Sequence, residues 1–217
     1  MSTIERTEAA PVDLQAVPHR VGATTTAGRV LVRRPADAVA LVAATLVLIV
    51  LAGRAGTVTA VDESLIRLIG SIPTGLRGVL VDIYRLGSVW TVAVVAGLAL
   101  WRKCTALAVT VTASGLLAWV VARLLRVWVD SGSPSAAFPL GRVAVFAAVV
   151  TVTVPYLARP WRIVSAVALA GVAVSAVYLA AGLPLDVAGG AVVGFAVAKA
   201  VQLAIGGPAN RPTTTEV

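Results

Sequence analysis

Residues 163–207 read IVSAVALAGVAVSAVYLAAGLPLDVAGGAVVGFAVAKAVQLAIGG, and Asp186 and Lys199 are the only charges in that stretch. Hydrocarbon offers the backbone no hydrogen-bonding partner, so a chain this apolar crosses it as helices that satisfy their own N–H and C=O groups. Roughly 20 mostly apolar residues make one crossing. Ile163 to Leu185 and Val187 to Gly207 are therefore two spans, joined by a short turn from Gly182 to Leu185. Gly190 and Gly194 stand four apart in the second span. That spacing either lets a neighbouring helix come close or reflects how common glycine is in membrane helices.

Working outward, four more runs carry no charge: Ala38 to Gly53, Leu86 to Trp101, Cys104 to Ala122 and Val143 to Ala158. Charged residues make up 13% of the chain, about half the share of an ordinary soluble domain, which settles the class. The expected fold is all-α: a polytopic membrane helical bundle of about six transmembrane helices plus an interfacial helix. The interfacial helix falls between the first two runs, where Asp62 to Ile72 and Gly75 to Gly87 flank Pro73. In the second piece Leu76, Val79, Leu80 and Ile83 recur at helical spacing opposite Arg77 and Tyr84, the pattern of a helix lying along the interface.

The first run starts near residue 38, too late for a cleaved leader, and reads as a permanent span. Residues 1–35 mix Pro, Thr, Ala and Glu without periodicity and suit a disordered cytoplasmic tail. Residues 36–207 form the transmembrane domain, and 208–217 a second tail. Arg29, Arg33 and Arg34 before the first span point to a cytoplasmic N-terminus. The turns at Arg102-Lys103 and Arg159 to Arg162 then share that side of the plasma membrane, and six crossings return the C-terminus to it. The connection from Val127 to Arg142 and the Gly182–Leu185 turn face outside, together with Arg54, Arg67, Arg77 and Arg85, which run against the positive-inside rule. Net charge is +8, but the basic residues sit at helix ends rather than among aromatics, so nucleic acid is not an expected partner. Cys104 is the single cysteine, which excludes an internal disulfide. No His, Cys, Asp and Glu grouping has metal-ligand spacing, and no cofactor is expected.

Two outer segments carry the chemistry-bearing residues. One runs Arg123-Leu-Leu-Arg126-Val-Trp-Val-Asp130-Ser-Gly-Ser133-Pro134 and then Phe138-Pro139-Leu140-Gly141-Arg142. The other runs from Ser175 through Tyr178, Gly182 and Pro184 to Asp186 and Gly190. Here the chain resembles the type 2 phosphatidic acid phosphatase superfamily, whose membrane members remove phosphate from lipid and isoprenoid phosphates. The similarity covers about residues 35 to 208 and looks most like an actinobacterial branch, some of whose members are joined to flippase-like domains. The resemblance implies three motifs, and each is altered. Lys, six residues, Arg-Pro becomes Arg126, six residues, Ser133-Pro134. Pro-Ser-Gly-His, which supplies the general acid, becomes Pro139-Leu140-Gly141-Arg142. Ser-Arg, five residues, His, three residues, Asp becomes Ser175-Ala176, five residues, Gly182, three residues, Asp186. That histidine is the family's nucleophile, and the aspartate orients it.

The chemical consequence does not depend on the alignment. A phosphohistidine route needs a neutral imidazole to attack and a protonatable group for the leaving oxygen. The sole histidine is His19, in the N-terminal tail, and arginine holds its proton at any physiological pH. No catalytic residue is therefore assigned. Arg126 and Arg142 are the candidate phosphate-binding residues. Local alternatives stand beside these roles: an Arg126–Asp130 ion pair, Asp186 as a helix cap or as the partner of Arg142, and Arg123 reaching lipid headgroups. Tyr178 and Trp128 suit an aromatic belt or a lipid site, and Ser133 and Ser175 lack a base within reach. The expected function is that of a non-catalytic relative. It binds a lipid or isoprenoid phosphate, or supports a flippase-like or cell-envelope membrane partner. The alternatives are an active phosphatase of unfamiliar mechanism and a purely structural subunit.

The orientation is tested at Cys104. A membrane-impermeant maleimide applied to intact cells should leave it unlabelled and label it after permeabilisation; efficient labelling of intact cells reverses the topology.

Overall fold

A computed structural model describes residues 31–32, 35–55, 57–129 and 138–208. Most of the two expected tails lies outside these residues, as do His19, Arg29, Arg33, Arg34, Asp130, Ser133 and Pro134. Each of the six apolar runs is a helix: α1 (Pro35–Ala52), α4 (Val89–Trp101), α5 (Thr105–Trp128), α6 (Gly141–Thr153), α7 (Arg159–Tyr178) and α8 (Pro184–Ile205). Between α1 and α4 lie α2 (Ala60–Gly70) and α3 (Arg77–Arg85). Thr59 and Asp62 cap the start of α2 reciprocally, with backbone-to-side-chain bonds of 3.2 and 2.9 Å. Pro73 then breaks the path, since it lacks an N–H and restricts its predecessor. A 3-10 turn at Thr74–Leu76 leads into α3, and the two arms meet at 86°.

Among the described residues four helices, α1, α5, α7 and α8, are long and apolar enough to cross a membrane, or up to five spans if the bent α2–α3 pair is counted as one. Two of the six expected spans, α4 and the segment Gly141–Tyr156 containing α6, are shorter. α6 has a reason to be short: Val143 to Val149 are all buried, so protein encloses the helix on every side. The outer helices do the reverse. On α1 only Ala44 is buried, while Val39, Val42, Leu46, Ile49 and Val50 are exposed, as a face turned to lipid requires.

Lipid tails are as apolar as leucine, so burial of large side chains does not drive these helices together; close packing of small ones does. α5 buries Ala108, Ser114, Gly115, Ala118 and Ala122 along one stripe and leaves Leu116, Leu117 and Trp119 outside. Between the two readings of Gly190 and Gly194, the structure selects close approach. A Cβ at Gly190 would lie 2.5 Å from the Leu140 carbonyl oxygen, and one at Gly194 would strike the Ala144 carbonyl and the Ala147 side chain. α6 and α8 thus touch backbone to backbone.

At the opposite end Lys199 of α8 donates to Asp37 of α1 at 2.7 Å and to Gln202 at 3.2 Å, with the two charged side chains only 20% and 13% exposed. This pair fixes the register of α1, which packs chiefly on α8. A two-residue antiparallel ladder between β1 (Leu31–Val32) and β2 (Gly207–Pro208) pairs the segments that flank α1 and α8 at the same pole.

Gly194→Ala should destabilise the detergent-solubilised protein by about 1–3 kcal/mol, the usual penalty for overpacking. Gly97→Ala, where an added Cβ meets nothing within 4 Å, should be neutral or slightly stabilising. Equal melting temperatures for the two variants would contradict the α6–α8 contact.

Candidate functional site

Helix direction brings the sequence-predicted site residues to one pole. α5 runs toward it and ends with Arg126 in its last turn; α6 runs away from it, starting at Gly141 and Arg142; α7 arrives with Ser175; α8 departs with Asp186. Asp186 is fully buried and serves as the cap of α8, one of the two roles open to it from sequence. Its Oδ2 accepts from the Leu183 N–H at 2.9 Å, and its carbonyl accepts from the Leu140 N–H at 3.0 Å. The second bond ties the Phe138-Pro139-Leu140 segment to α8. Arg142 is not the partner of Asp186: its guanidinium lies over the Tyr84 ring, 4.6 Å from the centroid.

Gly182 lies beside Asp186. A Cβ there would sit 3.3 Å from both Cβ and Oδ2 of Asp186 and 3.5 Å from a Leu140 methyl. Positions 182 and 186 are thus in register across the turn, with nothing but a hydrogen where a side chain would reach the aspartate. Ser175 is fully buried, and its Oγ meets no hydrogen-bonding partner among the described residues. Other helix hydroxyls bond their own backbone: Thr110 to Ala106 at 2.6 Å, Thr151 to Ala147 at 2.7 Å and Ser114 to Val111 at 3.1 Å.

Two adjoining chambers open at this pole. The larger, about 610 Å³, is lined by Tyr84, Ser88, Trp90, Trp119, Arg126 and Arg142, among others. The smaller, about 270 Å³, is lined by Trp119, Ala122, Arg123, Arg126, Val127, Pro139 and Gly141. Arg126, Trp119 and Gly141 belong to both. Arg123 lies over the Trp119 ring, 5.7 Å from its centroid. Gly87 holds the α3–α4 junction against α6, since a Cβ there would come within 2.8 Å of the Arg142 carbonyl oxygen, and this sets Tyr84 beneath Arg142. A guanidinium stacked on a ring keeps its in-plane N–H edge for an oxyanion. Among the described residues no three His, Cys, Asp or Glu side chains come together as a metal site would need.

Arg126 and Arg142 thus share a chamber, while Asp186, Ser175 and Gly182 lie behind it without lining it. Trp128 and Tyr178 line neither chamber. Sequence reasoning missed Tyr84, Trp90, Trp119 and Gly87. The four-residue spacing of Trp119 and Arg123 on one helix was a usable signal; the pairing of Tyr84 with Arg142 across 58 positions left none, as it needs the α3–α6 contact.

A bundle of this design, with its polar residues at one pole of α5 to α8, has the fold of the PAP2-type membrane phosphatases. It is similar to the crystal structure of a transmembrane PAP2-type phosphatidylglycerolphosphate phosphatase from Bacillus subtilis, with a TM-score of 0.62 and 22% identity over 75% of this chain and 94% of that one. No protein-family model matches the sequence. No curated protein matches it either.

Asp186→Ala would remove the cap and leave the part-buried Leu183 N–H without its acceptor, at a loss of about 1–3 kcal/mol. Asp186→Asn, which keeps an acceptor oxygen, should lose less than half of that in thermal melts. An alanine variant as stable as wild type would remove the capping role.

Proposed function

We propose that the chain is a divergent member of the type 2 phosphatidic acid phosphatase superfamily that binds a lipid or isoprenoid phosphate without hydrolysing it. In this reading the transmembrane domain of residues 36–207 crosses the plasma membrane six times, with its tails in the cytoplasm and the arginine-lined pole outside. The bound lipid is held for a lipid-transport or cell-envelope partner. The observation that carries the proposal is the pairing of what is present with what is missing. Arg126 and Arg142 line one chamber of about 610 Å³, a charge and shape suited to a phosphate. Position 182, 3.3 Å from Asp186, is a glycine, and the sole histidine of the chain is His19. Attack on phosphorus needs a nucleophile and a proton donor for the leaving alcohol. An arginine at position 142 is no proton donor for a leaving alcohol, and Ser175, buried in α7 with no base bonded to it among the described residues, is not activated.

The purified protein should release no phosphate from phosphatidic acid or isoprenyl diphosphates above a detergent blank. It should also co-purify with anionic lipid, reduced several-fold in Arg126→Ala and in Arg142→Ala. Turnover that survives purification and disappears in Asp186→Asn would restore the phosphatase reading. Equal anionic lipid in all three proteins would leave a purely structural subunit.

A further inference from the structure

We propose that the cleft between α1 and α7 is a lipid site that takes one hydrocarbon chain of an anionic phospholipid, whose headgroup sits at the cleft's mouth near Lys199 and Arg162. This site lies away from the arginine pole and stands whether or not that pole binds phosphate. The cleft, about 460 Å³, has Ala40, Ala43 and Val47 of α1 on one side and Leu169 of α7 on the other, with Thr151 of α6 and Phe195 of α8 between them. Thr151 carries the one polar side chain of the lining. Its hydroxyl donates to the Ala147 carbonyl of its own helix at 2.7 Å, so a water here would lack the polar partners that hold one in place. Apolar matter therefore fills the cleft. From Ala40 to Val47 it is roughly 10 Å long at helical rise, and its volume over that length gives about half the cross-section of a helix. There is room for a hydrocarbon chain and not for a further helix.

Helix register sets the mouth. Asp37 stands one turn before Ala40, Lys199 one turn after Phe195 and Arg162 two turns before Leu169, each on the helix face that lines the cleft. All three fall at the same end, where α1 and α7 begin and α8 finishes. Lys199 Nζ lies 5.7 Å from the Phe195 ring centroid and donates to Asp37 and Gln202, which leaves one of the three ammonium donors without a partner among the described residues. Arg162 is exposed, and among the described residues only its Nε is engaged, by the Leu157 carbonyl at 2.9 Å. Two cations against one carboxylate give the mouth an excess of positive charge, complementary to an anionic headgroup. A chain anchored there runs up the cleft between α1 and α7 and gives α1, which packs chiefly on α8, a second neighbour.

Full-length protein in phosphatidylcholine nanodiscs would receive a trace of phosphatidylserine, or of phosphatidylcholine, carrying a photoreactive group in one chain. Labelled residues would be mapped by mass spectrometry. Wild type should be labelled chiefly at Ala40, Ala43, Val47 and Leu169, and much less at Val39, Leu46 and Ile49, which are exposed on α1 outside the cleft. Phosphatidylserine should label the cleft about fivefold more than phosphatidylcholine, the effect of one basic residue near an anionic lipid surface. Ala43→Phe fills the cleft from an exposed position and should remove its labelling by both lipids. Arg162→Ala should keep the labelling but lose the preference, and Arg162→Lys should restore it. Arg142→Ala, at the other pole, should change neither. Even labelling around α1, or cleft labelling that persists in Ala43→Phe, would overturn the chain site. Equal labelling by the two lipids in wild type, or a preference unchanged in Arg162→Ala, would overturn the headgroup's place at the mouth. Loss of cleft labelling in Arg142→Ala would overturn its independence from the arginine pole.

Discussion

The backbone of α6 rests on the backbone of α8, and the rest of the bundle is arranged around that contact. Gly190 and Gly194 remove the side chains that would hold the helices apart, leaving the Leu140 and Ala144 carbonyls facing bare Cα positions. Once α6 is drawn in this far it no longer touches lipid, and its run from Val143 to Val149 is sealed by neighbours. α1, α5 and α7 then form the outer layer and show their large apolar side chains to the membrane. The same approach brings the starts of α6 and α8 to one level, where the Leu140 N–H reaches the Asp186 carbonyl. Packing at mid-bundle and geometry at the pole therefore share a cause.

Much of this was legible in the sequence, for physical reasons. A charge in hydrocarbon is expensive, so charge-free runs mark helices well. Their ends are marked less well. The run ending at Ala122 continues as helix to Trp128, because Arg123 and Arg126 reach water from a helix end without breaking it. The turn expected from Gly182 to Leu185 begins earlier, straight after Tyr178, because Ala180 takes the left-handed region at φ 52, a conformation an alanine does not announce. α4 and α6 are shorter than the other apolar helices; at α6 contact with other helices substitutes for contact with lipid, and that is a property of the assembly rather than of the run.

For the candidate site, sequence reached the residues but not their setting. Arg126 and Arg142 were named from motif positions, and they line one chamber. What sequence could not supply was the material beneath them. Tyr84 belongs to a helix whose polar face gave no hint of a partner, and it meets Arg142 only because Gly87 admits the start of α6. Arginine laid on an aromatic ring keeps both its charge and its donors at an interface where a bare side chain would wander into the headgroups. Asp186 has the opposite character. Its carboxylate is turned inward, where Oδ2 holds the first turn of α8.

The ion pair between Lys199 and Asp37 joins positions 162 apart, and it has a consequence for biogenesis. Synthesis runs from the N-terminus, so α1 enters the membrane while its main neighbour, α8, is still unmade. Through that interval α1 has lipid rather than protein on most sides, and the Asp37 carboxylate stays near the water layer with no cation to draw it in. When α8 arrives, Lys199 supplies that cation from within a helix where a lone ammonium is costly. The last of these helices thus completes the seating of the first, and a chain truncated before Lys199 would leave Asp37 without its cation.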